Sequence, residues 1–128
     1  MDSNVPMYLV GRPHPNRARA REVLTALVDD AETLFTDVEV LQEILHRYTA
    51  INRPDAIDPA FRVLLDVVDD VMDLTISHLE RTRQILRSGT ELSARDAVHL
   101  AVMESVGSTR ILSFDRGFDA RSGIERLH

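Results

Sequence analysis

The chain has 128 residues, 44% of them apolar and 28% charged, which suits one soluble globular domain, residues 1–128. No apolar run approaches the roughly 18–20 residues that cross a bilayer, no signal-peptide pattern opens the sequence, and without cysteine there is no disulfide framework or thiolate chemistry, so a cytoplasmic protein with no membrane partner is expected. A net charge of −6 argues against holding nucleic acid by bulk attraction, yet all 15 basic residues are arginine, the side chain better suited to bidentate phosphate contacts.

Met1 to Gly11 holds an acid followed by an apolar turn, Val5, Met7, Tyr8, Leu9 and Val10. Pro15 fits a first helical turn, after which Ala18, Val23, Leu24, Leu27 and Val28 recur at helical spacing. Leu34-Phe35-Thr36 reads as a short buried strand. Thr36-x-x-Glu39 has the form of a capping box opening a helix through Val40, Leu41, Ile44, Leu45 and Tyr48. Asn52 to Ile57 reads as a loop, and Asp58-Pro59 as an N-cap and first-turn proline for a helix through Phe61, Val63, Leu64, Val67 and Val68. Val71 to Ile76 is a further candidate strand. Ser77-x-x-Glu80 and Ser93-x-x-Asp96 repeat the capping-box pattern, with Gly89 and Gly107 placed to end the two helices in the left-handed conformation. Arg110 to Phe114 reads as a strand leading into Asp115, and Gly123 to Leu127 as an edge strand. Short strands alternating with helices predict an α/β fold with a mainly parallel sheet.

Such a sheet gathers its site at the carboxyl ends of the strands. Asp2 is expected after a first strand and Asp115 after Arg110–Phe114, with Glu43 about two turns into its helix and Asp96 in the first turn of another. Each acid alone also fits a cap, a turn or a solvated surface. Together, four acids from four segments would repel one another unless a cation neutralised them, and oxygen ligands without cysteine suit Mg²⁺ or Mn²⁺.

Asp2-Ser3-Asn4, Val40-Leu41-Gln42-Glu43-Ile44, Ser93-Ala94-Arg95-Asp96-Ala97 and Ile111-Leu112-Ser113-Phe114-Asp115-Arg116-Gly117-Phe118-Asp119 resemble a PIN domain, and more narrowly the VapC toxins of bacterial toxin–antitoxin pairs. The resemblance spans essentially the whole chain. It implies a three-layer α/β/α fold and an Mg²⁺- or Mn²⁺-dependent endoribonuclease acting on structured RNA such as tRNA or rRNA. It also implies a homodimer and a short cognate antitoxin. Asp2, Glu43, Asp96 and Asp115 match the family's four catalytic acids, Asp119 an extra acid of some members, and Ser113 a commonly hydroxyl-bearing position. In one departure, Met1 alone precedes Asp2, where family members usually carry a short apolar strand.

Under this reading Asp2, Asp96 and Asp115 carry the metal, Asp119 acts through water, and Glu43 completes the cluster or orients the attacking water. Ser3 and Ser113 support the acids, while Arg17, Arg21, Arg95 and Arg116 are candidates for RNA contact. A degenerate nuclease that only binds RNA or protein is one alternative. A carboxylate-bridged di-iron protein is another, because Glu43-x-x-His46 and Asp96-x-x-His99 each set an acid and an imidazole one turn apart, although that chemistry needs a four-helix bundle. His99, set among apolar neighbours, reads as a packed histidine with one hydrogen bond.

Overall fold

The computed structural model describes residues 1–89 and 91–128. Among these lie six α-helices, α1 Asn4–Val10, α2 Asn16–Asp29, α3 Val38–Ala50, α4 Ile57–Val67, α5 Ile76–Arg87 and α6 Ala94–Ser105, interleaved with four short strands. The strands are β1 Phe35–Asp37, β2 Asp70–Met72, β3 Arg110–Leu112 and β4 Glu125–Leu127. The α/β class is as expected, and it excludes the bundle that a di-iron site would need. No helix among the described residues is long and apolar enough to cross a membrane.

All strand pairing is parallel: β1 runs beside β2, with Phe35 opposite Asp70, and β3 beside β4, with Arg110 opposite Glu125. Instead of a first strand, Met1 and Asp2 stitch the two pairs together. The Met1 nitrogen donates to the Phe35 carbonyl at 2.7 Å, the Thr36 hydroxyl to the Met1 carbonyl at 2.8 Å, and the Asp2 amide to the Leu112 carbonyl at 3.0 Å. Among the described residues no strand precedes Asp2, and the ladder contacts of Met1 and Asp2 stand where that strand was expected. The chain turns at once into α1, where Pro6 sits in the first turn and its missing N–H costs no helical bond.

Side chains of adjacent strand residues point to opposite faces of a sheet. Ile111 packs with Ile85, Leu100 and Phe118 on the α5–α6 side, whereas Leu112 packs with Val5, Leu24 and Leu27 on the α1–α2 side. Helices therefore cover both faces, which is the three-layer arrangement. A third apolar cluster, Val40, Ile44, Tyr48, Ala60 and Leu64, joins α3 to α4.

Several expected boundaries move. Asp37, not Thr36, caps α3 by accepting from the Val40 amide, because the Thr36 hydroxyl already serves Met1. The box before α5 is Thr75 with His78 rather than Ser77 with Glu80, since the helix opens at Ile76 and the strand expected over Val71–Ile76 stops at Met72. A 3-10 turn, Pro54–Ala56, occupies part of the expected loop, so α4 starts at Ile57 and Asp58 lies in its first turn instead of capping it. The strand ends at Leu112, so Ser113 turns to Asp2 while Phe114 packs beside Tyr8. Gly89 and Gly107 do take the left-handed conformation, at φ 80° and 70°.

Candidate active site

The stitch fixes Asp2 at the centre of the molecule. Its carboxylate is buried and accepts from the Ser113 hydroxyl at 2.5 Å, the Asn4 amide at 2.5 Å and the Ser3 hydroxyl at 3.3 Å. Asn4 also donates to Ser113 and accepts from the Phe114 amide, tying α1 to the turn after β3. Ser113, fully buried, accepts from the Asp115 amide at 3.0 Å, so one hydroxyl positions two of the acids.

Asp96 enters from the first turn of α6. Its carboxylate accepts from the Ser93 hydroxyl at 2.6 Å and the Ser93 amide at 3.3 Å, and the Asp96 amide returns a bond to Ser93. The capping box is real, and it orients the acid towards the cluster. Asp115, though exposed, is steadied by the Gly117 amide at 2.8 Å. A methyl group on Gly117 would lie 3.2 Å from an Asp115 oxygen and 3.6 Å from an Asp96 oxygen, so this position sits between the two carboxylates. Burial, followed by the charges of Asp115 and Asp2, holds the Asp96 carboxyl above the usual aspartate range against the opposing Ser93 bond.

Glu43 projects from α3, and one of its oxygens comes within 4.8 Å of ligand atoms of Asp2 and His99. Arg95 donates to it at 2.9 Å. His99 Nε2 stands 3.7 Å from the other Glu43 oxygen, an ion-pair contact too long for a hydrogen bond, while His99 Nδ1 bonds Asp37 at 2.7 Å. Burial pushes Glu43 upward, but His99, Ser3 and Arg95 outweigh it and keep the carboxyl below its ordinary value. Burial likewise opposes charge on His99, yet Asp37 and Glu43 raise its pKa to about 10. The Asp37 contact at 2.7 Å and Glu43 at 3.7 Å both favour the charged form of the imidazole.

The structure brings together Asp2, Glu43, Asp96 and Asp115, with Ser3 and Ser113 in support. Asp119 is exposed and held by Arg126 at 2.7 and 2.8 Å. Of the arginines, Arg95 joins the site through Glu43 and Arg116 stands exposed beside Asp115. Arg17 instead holds the α1–α2 turn through the Tyr8 and Gly11 carbonyls, and Arg21 is exposed on α2. His46 is exposed and belongs to no metal-ligating group among the described residues. The sequence reading missed Asp37 and Asn4, and it gave His99 packing but no charge. It also treated Glu39 only as half of a cap, whereas burial and then the charge of Glu43 raise its carboxyl pKa. The Asp96-x-x-His99 spacing was the one available signal for His99.

The carboxylates fit a divalent ion: the donors are hard oxygens, and Asp96 and Asp115 have no ion pair among the described residues.

A family model described as the PIN domain matches residues 1–124. Ribonuclease VapC13 of Mycobacterium tuberculosis is 50% identical over 127 residues, covering 99% of this chain and 97% of that protein. Ribonuclease VapC23 of the same organism is 35% identical over 115 residues, covering 90% of each. Among solved structures, M. tuberculosis VapC20, described as a sarcin-ricin loop cleaving toxin, superposes with a TM-score of 0.78 at 23% identity, over 97% of this chain and 95% of that one. VapBC2 from Rickettsia felis, bound to a DNA fragment from its promoter, gives 0.72 at 12% identity, over 98% and 93%. With its acids held at the carboxyl ends of β1 and β3, the chain belongs to the PIN-domain family, among the VapC ribonucleases.

Proposed function

We propose that this protein is a divalent-metal-dependent endoribonuclease, the toxin of a toxin–antitoxin pair, hydrolysing phosphodiester bonds in structured RNA such as tRNA or rRNA in the cytoplasm. The observation that carries this reading is that Asp2 lies beside Glu43, Asp96 and Asp115 meet across Gly117, and the charges of Asp2 and Asp115 both act on Asp96. Asp2, Asp96 and Asp115 are suited to hold Mg²⁺ or Mn²⁺. When bound, such an ion neutralises phosphate charge and makes a water more acidic. Ser113 and Asn4 lock Asp2 in place, and Glu43, kept ionised by His99 and Arg95, accepts a hydrogen bond from the attacking water. Arg116 and Arg95 lie at the rim, where RNA phosphates would pass. Asp119 acts at most through water, because Arg126 already occupies its carboxylate.

Relatives named as VapC ribonucleases, together with a structural neighbour solved as VapBC2, support an antitoxin partner. A guanidinium from that partner would pair two carboxylates at once and exclude the metal. Exposed apolar residues on α5, with Ile76 at 74% exposure beside Leu79 and Leu86, support a homodimer, which light scattering tests. The central test is cleavage of total tRNA and rRNA by the purified protein. Cutting in Mg²⁺ or Mn²⁺, none in EDTA, and none by Asp96→Asn is the expected result. Equal cleavage by Asp96→Asn overturns the assignment. Tight RNA binding without cleavage in any metal favours the degenerate binding module.

A further inference from the structure

Beside the acid cluster a second cavity, of about 530 Å³, opens between the end of α1, the turn into α2 and the end of α3. Tyr8, His14 and Tyr48 line it together with Arg12, Arg47 and Arg53. The charge is out of keeping with the rest of an acidic chain. Arg53 pairs with Asp55, whereas Arg12 and Arg47 form no ion pair among the described residues. Tyr8 and His14 stack with ring centres 4.1 Å apart and planes 11° apart, and Phe114 meets Tyr8 edge-on at 5.4 Å. His14 is exposed, so one ring face is covered by Tyr8 and the other is open.

Two further observations mark the cavity as a built site. The Tyr48 hydroxyl is buried and has no hydrogen-bond partner among the described residues, a cost that proteins seldom carry without use. It lies beneath Gly11, where a methyl group would come within 3.6 Å of it. Arg17, bonded to the Tyr8 and Gly11 carbonyls, holds the rim in place before any ligand arrives. The cavity also touches the reacting centre, because Asn4 lines it and donates to Asp2 and Ser113. Asn4 and Tyr8 are one helical turn apart, about 6 Å along the axis.

We propose that this cavity is a nucleotide subsite, taking an unpaired base against the open face of His14 and that nucleotide's phosphate between Arg12 and Arg47. Base-on-aromatic stacking tolerates any base, because every base has a flat π face. The arginines supply the phosphate contacts that set the strand's register. The subsite would hold the RNA strand next to the nucleotide being cut and favour splayed, single-stranded loops over continuous duplex. This proposal rests on the RNA-cleaving reading and deepens it by naming where the substrate is gripped.

The test uses the full chain with adenosine and uridine 5′-monophosphates in EDTA, followed by NMR, alongside cleavage kinetics in Mg²⁺. Expected are shifts at Tyr8 and His14 on titration, with binding weakened at least fivefold in Arg47→Ala and in His14→Ala but unchanged in Arg87→Ala. In cleavage, Arg47→Ala is expected to raise KM about tenfold, more than it lowers kcat, and to reduce the salt slope by about one. Unchanged KM in both variants with no monophosphate binding overturns the subsite and leaves the nuclease reading standing. Monophosphate binding at Tyr8 and His14 without cleavage in any metal upholds the subsite and sinks the nuclease. Shifts produced only by a short acidic peptide bearing a tryptophan would assign the cavity to a protein partner, and also overturn the proposal.

Discussion

On one side of the acid site Glu43 lies between two cations, His99 and Arg95, with Asp37 behind the imidazole; on the other, Asp96 and Asp115 face each other across Gly117 with no ion pair among the described residues. The pKa directions follow, Glu43 lowered and Asp96 raised. The fold thus neutralises one half of its acid cluster and leaves the other half in electrostatic debt. A buried carboxylate without a partner is costly, so the filled side has an architectural task and the open side has an appetite for a cation.

Breaking the open side should have the largest effect. Asp96→Asn is expected to lower RNA cleavage in Mg²⁺ by at least about 100-fold while the metal-free melting temperature holds or rises, because one of several repelling carboxylates is gone. Thermal melts with and without Mg²⁺ check the second half. If Mg²⁺ still raises the Tm of the variant as much as that of the parent, the metal does not sit on this side.

Breaking the filled side should cost folding instead. His99→Leu leaves Asp37 buried without its cation and Glu43 with Arg95 alone, and a loss of roughly 3–5 kcal/mol is expected in urea titrations at neutral pH. A loss under about 1 kcal/mol would mean that His99 merely fills space.

The pH dependence sharpens the contrast. Against the opposing effect of burial, Asp37 and Glu43 raise His99 from the ordinary imidazole value of 6.5 to about 10. Its stabilisation is therefore fully present below 6.5 and fades as the pH rises through 10, a decline that His99→Leu should lack. Asp96 is also raised, but it is an acid, so its protonated form is the one folding favours. That stabilisation holds on the acid side and disappears as the pH climbs through its folded value. Mg²⁺ competes with the same proton, so the Mg²⁺-induced rise in Tm should shrink on acidification. A rise independent of pH would separate the metal from Asp96.

The smallest expected effect lies outside both sides. Asp119→Asn releases an exposed partner of Arg126 and should change cleavage by no more than about threefold, since such pairs contribute little. A larger loss would bring Asp119 into the metal's reach.

The four acids were legible because each lies in a separate predicted segment and together they make sense only around a cation. The α/β class was legible from alternating periods. The filled side was not. His99 and Asp37 are 62 positions apart, and Ser113 and Asp2 are 111, so no window one or two turns wide contains either pair. The misplaced caps have the same origin: Thr36 satisfies the local rule, but Met1 claims its hydroxyl from across the sheet. Local patterns name the residues able to do chemistry, while tertiary contacts decide which of them are already occupied.

The separation of Asp2 from Asp115 also bears on when the enzyme becomes dangerous. Asp2 is made well before its anchor Ser113 and before Asp115, and the bond to Ser113 closes over 111 positions. At about 5–20 residues per second the acid sits unmatched for several seconds or more while the rest of the chain is made. A nascent chain that has not yet reached Ser113 and Asp115, though surrounded by RNA, therefore has no assembled acid cluster.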